Sequence, residues 1–410
     1  MNILLINQYA GNLDLGMEFR PYYFAREWKR EGHHVVCIAG SYSHLRQSNE
    51  QSRFSIRWKS TYDGVNYDWL WTPRYPGNGV RRALNIMTFA LELELFAAKL
   101  SKMYKPDIVI SSSTHNLDFW GARRIARLSN AVHVHEVHDL WPLTLYEAGG
   151  MNKSHPWIRL LQVAEDAAYR GSDVVVSIPP DTLEYMSLHG LEPKKFVHIP
   201  NGVASEDWES HIPIPELHQN AISRIHRSGK LVVGYAGSIG PLNELRSLLD
   251  AGRAGLNGAE IVLVGDGLAR AELQREYEGP GITFLPKISK RQIPALIEQF
   301  DVCFAGLWSG DSRTSGTSLN KLFDYMMAGR PILFGADTSD SVVSRAEAGI
   351  TVPAEDSVAV RETINEFVRM TEDERNIFGN RAREYAISHF EHKVLAQQFL
   401  DEIQSRRIGK

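Results

Sequence analysis

Three stretches of this chain carry residue types whose spacing suits anionic, hydroxyl-rich ligands. In the first, a small polar loop, Ser315-Gly316-Thr317-Ser318, runs into a helical pattern opening Leu319-Asn320-Lys321. Backbone amides and one cation converge at such a helix start, so an anion is favoured there. Asp324 falls one turn beyond Asn320, at a depth where a carboxylate can accept both hydroxyls of a ribose. A capped surface helix is the plainer alternative. The second stretch is a pair of turns, Gly237-Ser238-Ile239-Gly240 and Gly265-Asp266-Gly267, each following a strand-like run. Glycine lets the backbone approach a diphosphate closely, while Asp266 serves equally well as a turn residue or helix cap. The third is His138-Asp139, closing the run Val132 to Val137. Either residue can orient or deprotonate a hydroxyl near neutral pH; a strand-end histidine held for structural reasons is the competing reading. Glu18 and Arg20, at the start of the first helical pattern, suit hydroxyl or phosphate contacts, or simply an exposed helix pair. His133 and His135 share a strand face with Val137 and, lacking ligand partners, read as core or edge residues.

The elements that must position these residues alternate. Ile3 to Ile6, Val35 to Ala39, Asp107 to Ser111, Val132 to Val137 and Asp173 to Ile178 are strand-like, with amphipathic stretches at Glu18 to Glu31, Leu117 to Leu128 and Trp157 to Tyr169. A second series has strands at Leu231 to Ala236, Glu260 to Val264, Ile282 to Leu285, Asp301 to Ala305 and Pro331 to Phe334, again separated by helical patterns. The reading is α/β, with two Rossmann-like doubly wound parallel sheets facing a cleft. The first domain spans 1–203 and the second 230–390. Residues 204–229, polar and with Pro213 and Pro215, read as a linker, and 391–410 as a helix crossing back to the first domain. A length of 410 residues agrees with two or three domains.

Composition narrows the function. With 45 basic and 49 acidic residues the net charge is −4, so no overall basic field recruits nucleic acid. Cys37 and Cys303 stand alone in apolar runs and build neither a disulfide nor a metal site. The N-terminal run is too short for a signal peptide, and Glu92 and Glu94 interrupt the apolar stretch Ala83 to Tyr104, so a cytoplasmic protein without a spanning helix is expected.

The stretch "NKLFDYMMAGRP" (Asn320 to Pro331) resembles the second half of the E-x7-E region of retaining nucleotide-sugar glycosyltransferases of family four, which have the GT-B architecture. "GMEFRPYYFAREWKREGHHV" (Gly16 to Val35), "EVHDLWP" (Glu136 to Pro142), "IPNGV" (Ile199 to Val203) and "IVLVGDG" (Ile261 to Gly267) resemble further segments of that family, in order, over nearly the whole chain. Within it, "GMEFRPYY" and "NKLFDYM" resemble bacterial O-antigen and capsule transferases of the N-acetyl-L-fucosamine type. The resemblance implies acceptor-dependent transfer of a sugar from a UDP-sugar with retention, the sugar being an N-acetylated hexosamine or deoxyhexosamine. Donor contacts are implied at Gly16, Gly237, Ser238, Asn243, Gly265, Asp266, Gly267, Lys287, Ile288, Ser318, Leu319, Asn320, Lys321 and Asp324. Glu18, His138 and Asp139 carry the catalytic side, with Arg20 and His138 at the acceptor. Two positions depart from the pattern: Gly316 stands where the first Glu of E-x7-E belongs, and Asn243 where a lysine often follows the glycine turn. Phosphate neutralisation then falls on Lys321 and Lys287.

No Asp-x-Asp occurs, so no metal cofactor is expected. The implied acceptor is a polyprenyl-diphosphate-linked saccharide, which places the protein peripherally at the inner face of the cytoplasmic membrane. Trp69, Trp71, Arg74, Tyr75, Arg81 and Arg82 before Leu84, Ile86 and Phe89 are the candidate anionic-membrane surface; a helix packed on the domain is the alternative. A UDP-sugar 2-epimerase of the same architecture and a non-catalytic binding subunit are the rival functions.

Overall fold

The computed structural model describes residues 1–50, 55–77, 79–147, 149–209, 212–240, 243–308, 320–338 and 340–408. Described residues Met1–Asn201 and those from His392 onward form one compact unit; described residues from Gly202 to Glu391 form the other.

In chain order the first unit contains β1 (Asn2–Ile6), α1 (Arg20–Arg30), β2 (His34–Gly40), β3 (Arg57–Tyr62), β4 (Val65–Leu70), α2 (Val80–Tyr104) and β5 (Ile108–Ser111). There follow α3 (Phe119–Ser129), β6 (Val132–Val137), α4 (Leu143–Glu147), α5 (Pro156–Gly171), β7 (Val174–Ser177), α6 (Leu183–Leu188) and β8 (Phe196–His198). Its sheet order is β3-β4-β2-β1-β5-β6-β7-β8, parallel throughout except for the β3-β4 hairpin. Strand order reverses between β1 and β5, so the loops after these strands flank the crevice where doubly wound sheets bind ligands. Buried apolar runs such as Ile3–Ile6 are what a sheet covered on both faces demands.

The first helix of the second unit is α7 (Glu216–Arg227), so the second half of the stretch read as a linker is an amphipathic helix, with Ile222 and Ile225 buried in that unit's core. Then come β9 (Leu231–Ser238), α8 (Arg246–Arg253), β10 (Ala259–Asp266), α9 (Arg270–Tyr277), β11 (Ile282–Leu285), α10 (Ile293–Ile297) and β12 (Val302–Gly306). After these follow α11 (Asn320–Met327), β13 (Ile332–Gly335), α12 (Val342–Arg345), β14 (Gly349–Val352), α13 (Ser357–Arg369) and α14 (Glu372–Phe390). The six strands are all parallel, in the order β11-β10-β9-β12-β13-β14, with the reversal between β9 and β12. Alternate residues of β9 feed two cores, Val232 and Ala236 on one face and Val233 and Tyr235 on the other.

The final helix, α15 (His392–Ile408), belongs to the first unit and packs on α1. Trp28 is fully buried and its Nε1 donates to the Ala396 carbonyl at 2.9 Å, while Tyr23 stacks on His392. Burying indole, phenol and imidazole surface in one seam is worth several kcal/mol, at roughly 1.5 to 3 kcal/mol for each large side chain.

Candidate active site

At the carboxyl ends of β5 and β6, five side chains of the first unit join. Glu136, at the end of β6, is buried; its Oε1 accepts from Arg20 Nε at 3.0 Å and its Oε2 from Ser112 Oγ at 2.7 Å. Burial alone would raise the Glu136 pKa, yet the Arg20 guanidinium, with His138 and Ser112 beside it, brings it down to about 2. His138 Nε2 lies 2.8 Å from Ser112 Oγ and 3.4 Å from Glu136 Oε2, while its Nδ1 faces Glu18 Oε2 at 3.7 Å. The Glu18 backbone is fixed by its amide on the Tyr9 carbonyl (2.9 Å) and its carbonyl on the Gly11 amide (2.8 Å). Nearby, Gly16 has φ +101°, and a Cβ there would sit 2.9 Å from the Gln47 nitrogen, so the tight turn requires glycine.

Two expectations change here. Arg20 is not available to an acceptor. Besides Glu136 it donates to the Ile199 carbonyl (3.1 Å), the Pro200 carbonyl (2.5 Å) and Asn201 Oδ1 (3.3 Å), so the buried guanidinium is spent inside the protein. Asp139 accepts from Thr144 Oγ1 at 3.1 Å and so serves the turn into α4; burial raises its pKa. His133 and His135 are buried and share Ser111 Oγ at 3.1 and 3.0 Å, with burial pulling both pKa values down, so they are neutral core residues.

In the second unit, Gly237-Ser238 and Gly265-Asp266 sit opposite one another at the ends of β9 and β10. A Cβ on Gly265 would lie 1.8 Å from the Gly237 carbonyl oxygen, so side chains are excluded and the backbone is bare. Lys321, in the first turn of α11, comes up beneath this turn: a Cβ on Gly237 would lie 3.2 Å from Lys321 Cε. Its ammonium meets Asn243 Oδ1 and stands 5.3 Å from the Tyr235 ring centroid. Among the described residues it has no carboxylate partner. Burial accordingly lowers its pKa from 10.5 to about 8. One turn along α11, both Asp324 oxygens accept from Lys290 Nζ at 2.7 Å.

The remaining expected donor residues are less drawn together. Lys287 and Asp266 are exposed and 3.9 Å apart, and Asp266 Oδ1 accepts from the Gly267 amide at 2.9 Å, the turn role. Gly267 itself has φ +155°. Ile288 packs partly buried against the sheet core, and the Asn320 side chain is exposed. Ser318 and Leu319, with Gly316, lie outside the described residues. Sequence reasoning missed Lys290, Ser112 and Glu136 as site members. Lys290 follows Lys287 by three residues and carried a basic signal; Ser112 had none.

Among the described residues, one group has metal-ligand spacing: Glu165, Asp166 and His189 place donor atoms within 4.8 Å of one another. Gln162 Nε2 lies 2.8 Å from each of the two carboxylates and 2.9 Å from His189 Nδ1, so a carboxamide occupies the centre.

The expected membrane surface also changes. Trp69, Ile86 and Phe89 are buried, and the Arg82 guanidinium lies 5.8 and 5.3 Å from the ring centroids of Tyr9 and Trp141. Of the expected residues Trp71, Arg74, Arg81 and Leu84 are exposed, and Leu84 (56%) joins Val80 (79%), Leu91 (57%) and Leu95 (79%), whose spacing of four, seven and four puts them on one stripe of α2. No helix among the described residues is long and apolar enough to cross a membrane.

Two parallel-sheet α/β domains, the second with a glycine-lined strand end above the partly buried Lys321, have the GT-B architecture. Residues 16–202 match the family described as Glycosyl transferase 4-like domain, and residues 230–370 match Glycosyl transferases group 1. The chain belongs to the GT-B glycosyltransferases. A probable glycosyltransferase of Pseudomonas aeruginosa, WbjE, is 24% identical over 67% of this chain and 70% of its own length. Among solved structures, a sucrose-phosphate synthase from Thermosynechococcus elongatus is similar at TM-score 0.73 and 16% identity, covering 100% of this chain and 99% of that one. HepE from Anabaena, solved with UDP and glucose, gives 0.64 at 14% identity, covering 99% and 100%. WaaG, a glycosyltransferase involved in lipopolysaccharide biosynthesis, gives 0.65 at 14%, covering 97% and 98%. At these identities the structural likeness speaks for the fold.

Proposed function

We propose that this glycosyltransferase moves an N-acetylated hexosamine or deoxyhexosamine from a UDP-sugar, with retention and without a metal ion, onto a lipid-diphosphate-linked saccharide during assembly of a bacterial surface polysaccharide. The observation that carries the donor side is Lys321. A partly buried ammonium with an amide oxygen and, among the described residues, no carboxylate beside it, under a bare glycine turn, is a site short of one anion, and a diphosphate supplies it. Asp324 is placed to accept the ribose hydroxyls, as acidic residues do in nucleotide-binding doubly wound sheets. UDP in the HepE complex agrees with this choice of nucleotide.

In the transfer, the C1–O bond to UDP breaks as the acceptor hydroxyl bonds to C1, and the hydroxyl proton passes to the departing diphosphate. Charge growing on that diphosphate is met by Lys321 and the backbone amides of the glycine turn. Glu18 and His138 orient a sugar hydroxyl in the first unit. A lipid-linked acceptor keeps its apolar chain in the bilayer, and the Val80–Leu84–Leu91–Leu95 stripe, flanked by the exposed Arg81 and Lys99 and followed by Lys102, is the surface we assign to the inner face of the cytoplasmic membrane. The test is a panel of UDP-sugars with and without lipid-linked acceptor. UDP release that depends on acceptor is the expected result. Release or sugar rearrangement without acceptor identifies an epimerase, and UDP binding without turnover in any combination identifies a binding subunit.

A further inference from the structure

A chain of hydrogen bonds in the first unit has a direction fixed by its ends. The Glu136 carboxylate is ionised at neutral pH and can only accept. Arg20 can only donate and holds Oε1 at 3.0 Å, while the Ile199 and Pro200 carbonyls hold the guanidinium, so the carboxylate has one orientation. Ser112 Oγ, 2.7 Å from Oε2, therefore spends its proton on the carboxylate and presents lone pairs elsewhere. His138 Nε2 faces that oxygen at 2.8 Å and Oε2 at 3.4 Å, both acceptors towards it. A lone pair on Nε2 would oppose theirs at hydrogen-bonding distance, so in the neutral ring the proton sits on Nε2 and the lone pair on Nδ1. Nδ1 looks towards Glu18 Oε2, which at 3.7 Å is too far for a hydrogen bond.

We propose that Arg20, Glu136 and Ser112 are positioning residues that hold the proton of the uncharged His138 ring on Nε2, so that Nδ1 is the atom that accepts a hydrogen bond from a hydroxyl of the bound sugar. The inference rests on the reading of His138 as the hydroxyl-facing residue of the transferase. It gives Arg20 a purpose that its burial away from an acceptor had removed. The ionisable groups around the ring are Glu18, Asp118, His135, Glu136 and Asp139. Of these, Glu136 and Glu18 stand against the ring nitrogens at the distances given.

Long-range proton–nitrogen correlation on ligand-free protein with 15N-labelled histidine reads the tautomer directly, His138 being assigned by its loss in His138→Gln. The parent should show an imine-type Nδ1 and a pyrrole-type Nε2. Ser112→Ala should keep that pattern, because Nε2–H then faces Glu136 itself. In Glu136→Gln the carbonyl oxygen must turn to Arg20, so the NH2 points at Ser112, the hydroxyl then donates to Nε2, and the ring reverses to Nδ1–H. A folded Glu136→Gln protein should also keep UDP affinity while losing most transfer. A pyrrole-type Nδ1 in the parent, or an unchanged tautomer in Glu136→Gln, overturns the relay. If Glu136→Gln does not fold, the parent and Ser112→Ala spectra still decide. No substrate enters the spectra, so an absent transferase activity beside the expected tautomer would sink the functional reading and leave the relay standing.

Discussion

Lys321 offers the most quantitative test of the donor site. Its pKa falls from 10.5 to about 8 on burial, a difference worth roughly 3 kcal/mol at 1.36 kcal/mol per unit. Between pH 8 and 10.5 the unfolded chain binds more protons than the fold, so stability rises with pH across that window and the whole penalty is present below it. A bound diphosphate reverses the balance, because the dianion returns the ammonium's pKa upward. Binding UDP near pH 8 should therefore take up about half a proton per protein, and the affinity should weaken about tenfold per pH unit above pH 8. Calorimetry in two buffers of different ionisation enthalpy measures the uptake. Lys321→Met should abolish it and serve as the control for titration of the nucleotide itself. The same substitution should weaken UDP binding by about 2 to 5 kcal/mol yet stabilise the free protein by about 2 kcal/mol, the relieved penalty less about 1 kcal/mol for the bond to Asn243. A UDP affinity that is flat from pH 7 to 9.5, with no proton uptake and no loss in Lys321→Met, would refute the assignment of this lysine to the diphosphate.

Asp324→Asn should weaken UDP by about 1 to 3 kcal/mol and erase the preference for UDP over 2′-deoxy-UDP; competition binding with both nucleotides checks it, and an intact preference removes Asp324 from the ribose. Lys290→Met deprives that carboxylate of its counter-charge and should lower UDP affinity in the same assay without affecting acceptor binding. Turnover should persist in excess EDTA, since the diphosphate is given a cation by Lys321; loss of activity restored by magnesium or manganese would show a metal in that place instead. Leu91→Glu with Leu95→Glu should abolish co-sedimentation with anionic vesicles at low salt while UDP binding stays unchanged. Equal sedimentation of parent and variant would leave the α2 stripe to some other partner.

The strands that hold the site were legible because a sheet covered on both faces needs unbroken apolar runs, and Ile3 to Ile6 or Leu231 to Ala236 leave little else to be. The edge strands β3 and β14 do not carry that signature. The β3-β4 hairpin alternates polar and apolar residues around Asp63-Gly64, both at positive φ, and the Asp-Gly pair was the available signal for it. Strand β14 at a sheet edge starts with Gly349 and, of its four residues, only Val352 is buried, so it lacks the apolar run that marks the other short strands. Polar composition and two preceding prolines hide helix α7, although its buried Ile222 and Ile225 keep helical spacing.

The site divides along a similar line. Gly237, Lys321 and Asp324 could be named as candidates because the constraint acts within one strand–turn or one helix turn, where spacing is geometry. Lys290 against Asp324, and Ser112 against Glu136 and His138, are pairings across neighbouring elements, set by strand order and by which way each side chain leaves the backbone. The same limit explains Arg20 and Arg82. A one-dimensional pattern identifies a cation at the start of a helix, but whether that cation meets solvent, a carboxylate or a ring depends on the helix's rotation against the sheet. Arg20 turned inward to Glu136, Arg82 lies over Tyr9 and Trp141, and the outward face of α2 carries leucines beside Arg81 and Lys99. Arg20 beside Glu136 is already neutralised, whereas Lys321 has no carboxylate partner among the described residues. On that ground Lys321, rather than Arg20, is the residue whose chemistry calls for a substrate.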